Sequence, residues 1–314
     1  MTRKGIILAG GAGTRLHPLT LATSKQLLPV YDKPMVYYPI SVLMRAGIRD
    51  ILIITTPEDQ AAFKRLLGDG ARIGVNFSYI VQDRPEGLAQ AYLLGEDFLD
   101  GAPSAMALGD NLFFGDGLGA KLASAGQRTD GATVFGAWVK EPHRYGVVDF
   151  DADQRAVRIV EKPSEPPSNY AVTGLYFYDG DAPELARQVR PSARGELEIT
   201  DLNNLYLERG ALNVELLGQS FVWLDAGTHE SLLEASEFVR VLEERHNRVI
   251  GCIEEIAYDQ GWIDAEALRQ IAGEYAKSPY GQYLAAAADR PPRGTPPAGG
   301  AAAAPSGPRL VAGR

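Results

Sequence analysis

The first half of the chain alternates short, continuously apolar runs with segments whose apolar residues recur three or four apart. Gly5-Ile6-Ile7-Leu8-Ala9, Ile51-Leu52-Ile53-Ile54-Thr55, Asn76–Val81 and Ser104–Leu108 have the length and apolar character of buried strands. Between them, Val36, Ile40, Leu43 and Met44 keep helical spacing, and Gly47 supplies a stop. Gln60–Leu67 and Leu88–Phe98 are also helix-like. Strand–helix alternation with strands apolar on both faces predicts an α/β fold: a parallel sheet covered by helices on its two sides. In the second half, Thr133–Trp138, Val147–Phe150, Val157–Val160, Thr173–Tyr178 and Asn213–Leu217 are predicted strands. Leu232, Ala235, Val239 and Leu242 mark a helix, and 264–277 another. These read as strands added to the same sheet plus a helical cap.

Residues 1–284 show no linker and no repeat of solenoid period, so they are expected to form one domain. Residues 285–314 are dominated by Ala, Pro and Gly, with Leu310 and Val311 as the large apolar side chains. Burial there cannot offset the cost of ordering the chain, and a disordered tail is expected. The rest of the 314 residues is ordinary for a globular protein, with 45% hydrophobic and 23% charged residues. The net charge of −9 argues against a general nucleic-acid binder but leaves room for a small anion held by a local cationic cluster. Cys252 is the one cysteine, so neither a disulfide framework nor a thiolate metal site is available. The apolar run behind the basic start ends at Ala9, and no stretch has the length of a membrane span, so a cytoplasmic protein without membrane contact is expected.

The first predicted strand runs into Leu8-Ala9-Gly10-Gly11-Ala12-Gly13-Thr14-Arg15-Leu16. Gly10, Gly11 and Gly13 allow backbone N–H groups to wrap an anion, and Arg15 adds a cationic fork suited to phosphate. Leu16 breaks the dinucleotide pattern GxGxxG, and the Gly-Lys-Ser/Thr ending of a P-loop is missing. The same run is also compatible with a plain tight turn. Lys25 would give a triphosphate a second cation, although a lone Lys is more often solvated. Asp110 and Asp225 each end an apolar run, the position from which carboxylates hold Mg2+ beside phosphates; turn acids or helix caps are the alternative. Glu161 and Lys162 follow another strand, where they would suit sugar hydroxyls and a monophosphate, or form an exposed pair. No Ser-His-Asp or Cys-His nucleophile set stands out.

Taken together, Leu8–Leu16, Pro18, Ser24-Lys25, Lys33-Pro34-Met35, Leu108-Gly109-Asp110 and Glu161-Lys162-Pro163 resemble the sugar nucleotidyltransferase family. The stretches Lys25–Met35, Gly87–Ala91, Tyr170–Tyr178, Ser192–Asp201 and Tyr280–Leu284 are similar to its dTTP-using branch, and the likeness spans 1–284. The resemblance implies a Rossmann-like nucleotide-diphospho-sugar transferase fold with a mixed, mainly parallel central sheet, assembled as a homotetramer. It implies that dTTP and glucose 1-phosphate are joined into dTDP-glucose with release of pyrophosphate, for dTDP-rhamnose and related deoxysugars. By position, the backbone of Gly10, Gly11 and Gly13 would hold the nucleotide, and Arg15 and Lys25 the triphosphate. Gln26, Gln82 and Gly87 would read the thymine. Asp110 and Asp225 would hold Mg2+, and Lys162 the sugar phosphate. Asn111, Gly146, Glu161 and Val172 would line the glucose pocket. A second, regulatory nucleotide-sugar site is implied near Gly115, Gly218 and Glu255. A UTP-preferring enzyme and a catalytically silent nucleotide-sugar sensor are the alternatives.

Overall fold

A computed structural model describes residues 1–11, 13–246 and 248–294. Its strands in chain order are β1 (Lys4–Ala9), β2 (Pro29–Val30), β3 (Lys33–Pro34), β4 (Asp50–Thr55), β5 (Asn76–Val81), β6 (Ser104–Leu108) and β7 (Asn111–Gly115). They continue with β8 (Ala132–Trp138), β9 (Gly146–Phe150), β10 (Ala156–Glu161), β11 (Tyr170–Tyr178), β12 (Leu212–Leu216) and β13 (Phe221–Asp225). Nine of them form one mixed sheet, in the order β10-β9-β11-β6-β1-β4-β5, with β8 joining β11 and β12 joining β8. The pairs β1–β4, β1–β6, β4–β5 and β8–β12 are parallel, and β11 runs antiparallel to β6, β8 and β9. The expected covered, mainly parallel sheet is therefore present, and the predicted strands of the second half join it.

Alternate residues of each central strand enter different cores, as the period of two requires. Ile7, Ile51, Ile53, Ala105 and Phe177 pack with the helices Tyr37–Arg45, Gln60–Leu67, Leu118–Gln127 and Ile253–Asp259. Ile6, Leu8, Leu52, Met106 and Tyr178 pack on the other side, with Tyr92, Leu185, Leu202 and Tyr206. A third, smaller cluster seats the helix His229–His246 through Ala235 and Val239 against Val30, Met35 and Leu112.

Two local expectations change. Leu88–Phe98 is not one helix but two, Gln90–Leu94 and Glu96–Leu99, separated at Gly95. Glycine is a weak helix former, and here it ends the first segment. The boundary expected at residue 284 falls inside the helix Pro279–Ala288, which starts from a Ser278 cap on the Gly281 N–H. Beyond it Arg290 pairs with Glu255 at 2.5 Å and Asp259 at 2.8 Å, so the folded body extends past 284. The remainder of the expected tail, 295–314, lies outside the described residues, as does Ala12.

Candidate active site

Parallel strands β1, β4 and β6 deliver their carboxyl ends to one edge, where open α/β sheets bind ligands. β1 leads into Gly10 and Gly11, and β6 into Gly109-Asp110. Close approach explains the glycines here. A Cβ on Gly10 would lie 2.3 Å from Gln82 Oε1, and one on Gly109 would lie 2.9 Å from the Leu8 carbonyl and 2.7 Å from Gln26 Cγ. Gly11 and Gly13 have φ of 107° and 60°, which L side chains rarely adopt.

A cleft of about 290 Å3 opens from this edge. It is lined by Gly10, Arg15, Asp110, Asn111, Gly146, Glu161, Lys162, Val172 and Asp225 among the expected residues, so pieces separated by up to two-thirds of the chain meet there. Lys25 joins them through its ion pair with Asp110. Gln26 and Gln82 are buried beside Gly109 and Gly10. Gly87 lies against the backbone of Leu197, which ties the 86–89 loop to the segment ahead of helix Ile199–Glu208: the Leu197 N–H donates to the Glu86 carbonyl at 2.6 Å.

Asp110 and Asp225 come together because β7 and β13 form an antiparallel ribbon in which Asn111 faces Asp225. The Ala226 N–H donates to the Asp110 carbonyl at 3.0 Å. The two acids differ in charge environment. Burial opposes ionisation of Asp110, but the Lys25 ammonium and the Asn111 amide, which donates at 2.8 Å, hold its carboxyl below the usual range. Burial and the Asp110 charge push the Asp225 carboxyl up to about 6. Arg15 stands close by, since a Cβ on Gly227 would be 2.9 Å from its guanidinium and 3.0 Å from Asp225 Oδ1. Two repelling carboxylates beside a glycine turn fit the donor set of Mg2+, which takes one or two carboxylates plus substrate phosphates. Among the described residues no larger metal-ligand cluster exists.

On the other side, β11 breaks register with β8 between Val172 and Tyr176. Bulges of this kind free backbone groups beside functional sites. The freed Gly174 N–H donates to Asn111 Oδ1 at 3.1 Å, and Trp223 Nε1 donates to the same oxygen at 2.6 Å. Glu161 is aimed by Thr200, whose hydroxyl donates to Oε2 at 2.6 Å, and by Arg194 at 3.4 Å. Lys162 is exposed and adopts φ of 41°, a strained conformation for a side-chain-bearing residue. Its N–H bonded to the Tyr145 carbonyl at 2.9 Å holds it there.

Sequence reasoning missed Arg144, Tyr145, Arg194, Glu198 and Trp223, which also line the cleft. Tyr145 packs against Trp223 with ring centroids 5.0 Å apart and planes tilted by 59°. Arg194 is gripped by Glu198 at 2.8 Å and Glu196 at 3.2 Å. A signal is present in the sequence, since Ser192–Asp201 carries part of the family resemblance and Trp223 lies in the apolar run that Asp225 ends, but it gives these side chains no roles. Of the residues expected for a second site, Gly115 and Gly218 meet around Phe221, which pairs with Gly115 and donates to the Gly218 carbonyl at 3.0 Å. Glu255 is 1% exposed and engaged by Arg290, Arg293 and Tyr283; among the described residues no hydrogen bond or ion pair links it to either glycine.

Residues 4–241 match the family model described as nucleotidyl transferase. A glucose-1-phosphate thymidylyltransferase of Xanthomonas campestris pv. campestris is 60% identical over 288 residues, 92% of this chain and 98% of that protein. Among solved structures, a Bacillus anthracis chain assigned as a glucose-1-phosphate thymidylyltransferase, in complex with a sucrose, superposes with a TM-score of 0.70 at 44% identity. It covers 76% of this chain and 96% of that one. A UDP-glucose pyrophosphorylase complexed with UDP-glucose gives a TM-score of 0.68 at 26% identity, covering 79% and 100%.

Proposed function

The chain belongs to the nucleotidyl transferase family, and from that premise we propose that it joins dTTP and glucose 1-phosphate into dTDP-glucose, releasing pyrophosphate. The observation that carries this reading is the meeting of Asp110 and Asp225 across the β7–β13 ribbon, beside Arg15 and Lys25. A phosphate oxygen of glucose 1-phosphate attacks the α-phosphorus of the nucleotide. A new P–O bond forms as the bond to the bridging oxygen toward the β-phosphorus breaks, and pyrophosphate leaves with its electron pair. The sugar phosphate is already ionised at neutral pH, so no general base is needed. The protein's task is to hold two anions in line and oppose the charge of the leaving group.

Amides of Gly10 and Gly11, with Arg15 and Lys25, would cradle the triphosphate. Gln26, Gln82 and Gly87 would read the base, and Lys162 would draw in the sugar phosphate. Asn111, Gly146, Glu161 and Val172 would contact the glucose. Asp110 and Asp225 would hold Mg2+, which neutralises phosphate charge when bound. The Lys25–Asp110 pair keeps the Lys25 ammonium in place before substrate arrives. Assembly as a homotetramer and supply of deoxysugar synthesis extend the same reading.

One assay tests it: pyrophosphate release by purified protein with dTTP or UTP, with and without Mg2+, across several sugar 1-phosphates. The expected result is Mg2+-dependent turnover with dTTP and glucose 1-phosphate. Turnover with UTP alone would move the reading to a uridylyltransferase, and none with any pair would move it to a sensor.

A further inference from the structure

Gln82 follows β5 and is 4% exposed, yet its Oε1 reaches over Gly10 at the cleft edge. The direction of its amide is fixed by groups two steps away. Glu86 offers a backbone N–H, which can only donate, and an ionised carboxylate, which can only accept. Gln90 meets both: its Oε1 accepts from the Glu86 N–H at 3.1 Å, and its Nε2 donates to Glu86 Oε2 at 3.0 Å. Turning the Gln90 amide over would set N–H against N–H and oxygen against carboxylate. Gln90 therefore presents an oxygen to Gln82, whose Nε2 donates to it at 2.6 Å. That bond turns Gln82 Oε1 toward Gly10, where it has no protein partner among the described residues.

We propose that Gln90 is a positioning residue that locks Gln82 as a hydrogen-bond acceptor facing the nucleotide base. This inference rests on the proposed reading, in which Gln82 contacts the base. An acceptor there suits a pyrimidine whose ring nitrogen carries a proton, as in thymine and uracil. It opposes cytosine, whose corresponding ring nitrogen is itself an acceptor. The chain of polarity thus selects the imide class of base and leaves the thymine methyl to other contacts.

The test measures pyrophosphate release from dTTP, dCTP and N3-methyl-dTTP with glucose 1-phosphate. Wild-type protein is expected to use dTTP and to lose at least about a hundredfold in kcat/KM with the other two, because a buried acceptor is left unpaired or opposed. Gln90→Leu frees the Gln82 amide to turn and should narrow the dTTP-to-dCTP ratio by about tenfold or more, with KM for glucose 1-phosphate unchanged. Gln90→Lys, whose ammonium can only donate, pairs with Glu86, attracts Gln82 Oε1 and turns Nε2 to the cleft, so the ratio should fall further. Circular dichroism checks that both variants fold. Wild-type protein that accepts N3-methyl-dTTP as well as dTTP overturns the inference without any variant. If wild type selects dTTP and both folded variants keep its ratio, the inference alone fails. If wild type is inert with dTTP, the parent reading fails and takes this one with it.

Discussion

The two ends of the cleft are built by different means. The glycine end comes from one contiguous stretch, Gly10 to Arg15, joined by the turn at Lys25-Gln26. Its chemistry is carried by backbone amides and two cations. The opposite end gathers Gly146, Glu161, Lys162, Val172, Arg194, Thr200 and Trp223, from four strands or the residue just after one, and from the lead-in and first turn of one helix. There the charged groups are already paired with one another: Glu161 with Thr200 and Arg194, and Arg194 with Glu198. A polyphosphate presents diffuse charge that a cradle of backbone amides can meet, whereas a sugar presents directional hydroxyls that need aimed partners. In the proposed reaction the first end holds the triphosphate whatever the base, which is left to Gln82 beside it, and the second sets which sugar enters.

The sharpest way to break this division is Asp110→Asn. Asp110 belongs to both ends, since it pairs with Lys25 and accepts from Asn111. Turnover should fall by about a thousandfold, roughly 4 kcal/mol of transition-state binding, while the far-ultraviolet dichroism stays native. Wild-type pyrophosphate release from this variant would remove Asp110 from the phosphate chemistry. Lys162→Ala comes next, at about 2–4 kcal/mol. Steady-state kinetics should show its effect in KM for the sugar phosphate rather than for dTTP. An equal rise in both would erase the contrast between the two ends.

The same contrast explains what could be read from the sequence. The glycine end was legible because backbone cradling needs glycines and a cation close together in the chain, and Leu8–Leu16 carries them. The central sheet was legible because strands apolar on both faces have few other uses. Asp225 was legible as an acid ending an apolar run, but its strand pairs in a separate ribbon with β7. Asn111–Gly115 was not expected as a strand, because it follows β6 after a two-residue break and looks like its continuation. Arg194 and Trp223 went unassigned because an Arg among glutamates reads as surface and a Trp in an apolar run reads as core. Arg194 is placed by Glu161 at the end of β10 and by Glu198, and Trp223 by the β7–β13 ribbon, which only tertiary pairing determines.

Asp225→Asn sharpens the comparison by separating stability from activity. The Asp225 carboxyl titrates near 6 in the folded chain, against 3.8 for an ordinary aspartate. The folded state then binds this proton more tightly than the unfolded state does. The contribution of Asp225 to stability is therefore complete below about pH 4, declines as pH rises to 6, and is flat above. At pH 7.5 the charged acid costs on the order of 1–3 kcal/mol, since each pKa step is about 1.36 kcal/mol and residual solvation reduces the full value. The variant should melt higher than wild type at pH 7.5, with the gap closing by pH 4, and should lose turnover. A lower Tm at pH 7.5 would mean that Arg15 and Lys25 outweigh the repulsion from Asp110.

The smallest expected effect tests whether the aimed partners matter at all. Thr200 is 3% exposed, and its hydroxyl donates to Glu161 at 2.6 Å, fixing which carboxylate oxygen remains for a ligand. Thr200→Val keeps the shape and removes that bond. Glu161 retains Arg194 at 3.4 Å, so it keeps an ion-pair partner but can turn. A hydrogen bond to a charged group contributes about 1.5–3 kcal/mol, but water replaces part of this in an open cleft, leaving about 1 kcal/mol. KM for glucose 1-phosphate should rise about fivefold, with KM for dTTP unchanged and Tm within a few degrees of wild type. Relative rates with epimeric sugar 1-phosphates should converge in the same variant, because a carboxylate free to turn distinguishes axial from equatorial hydroxyls less well. If the sugar KM and the epimer ratio both stay at wild-type values, Glu161 is aimed by Arg194 alone, and that end of the cleft is held by charge, as the glycine end is.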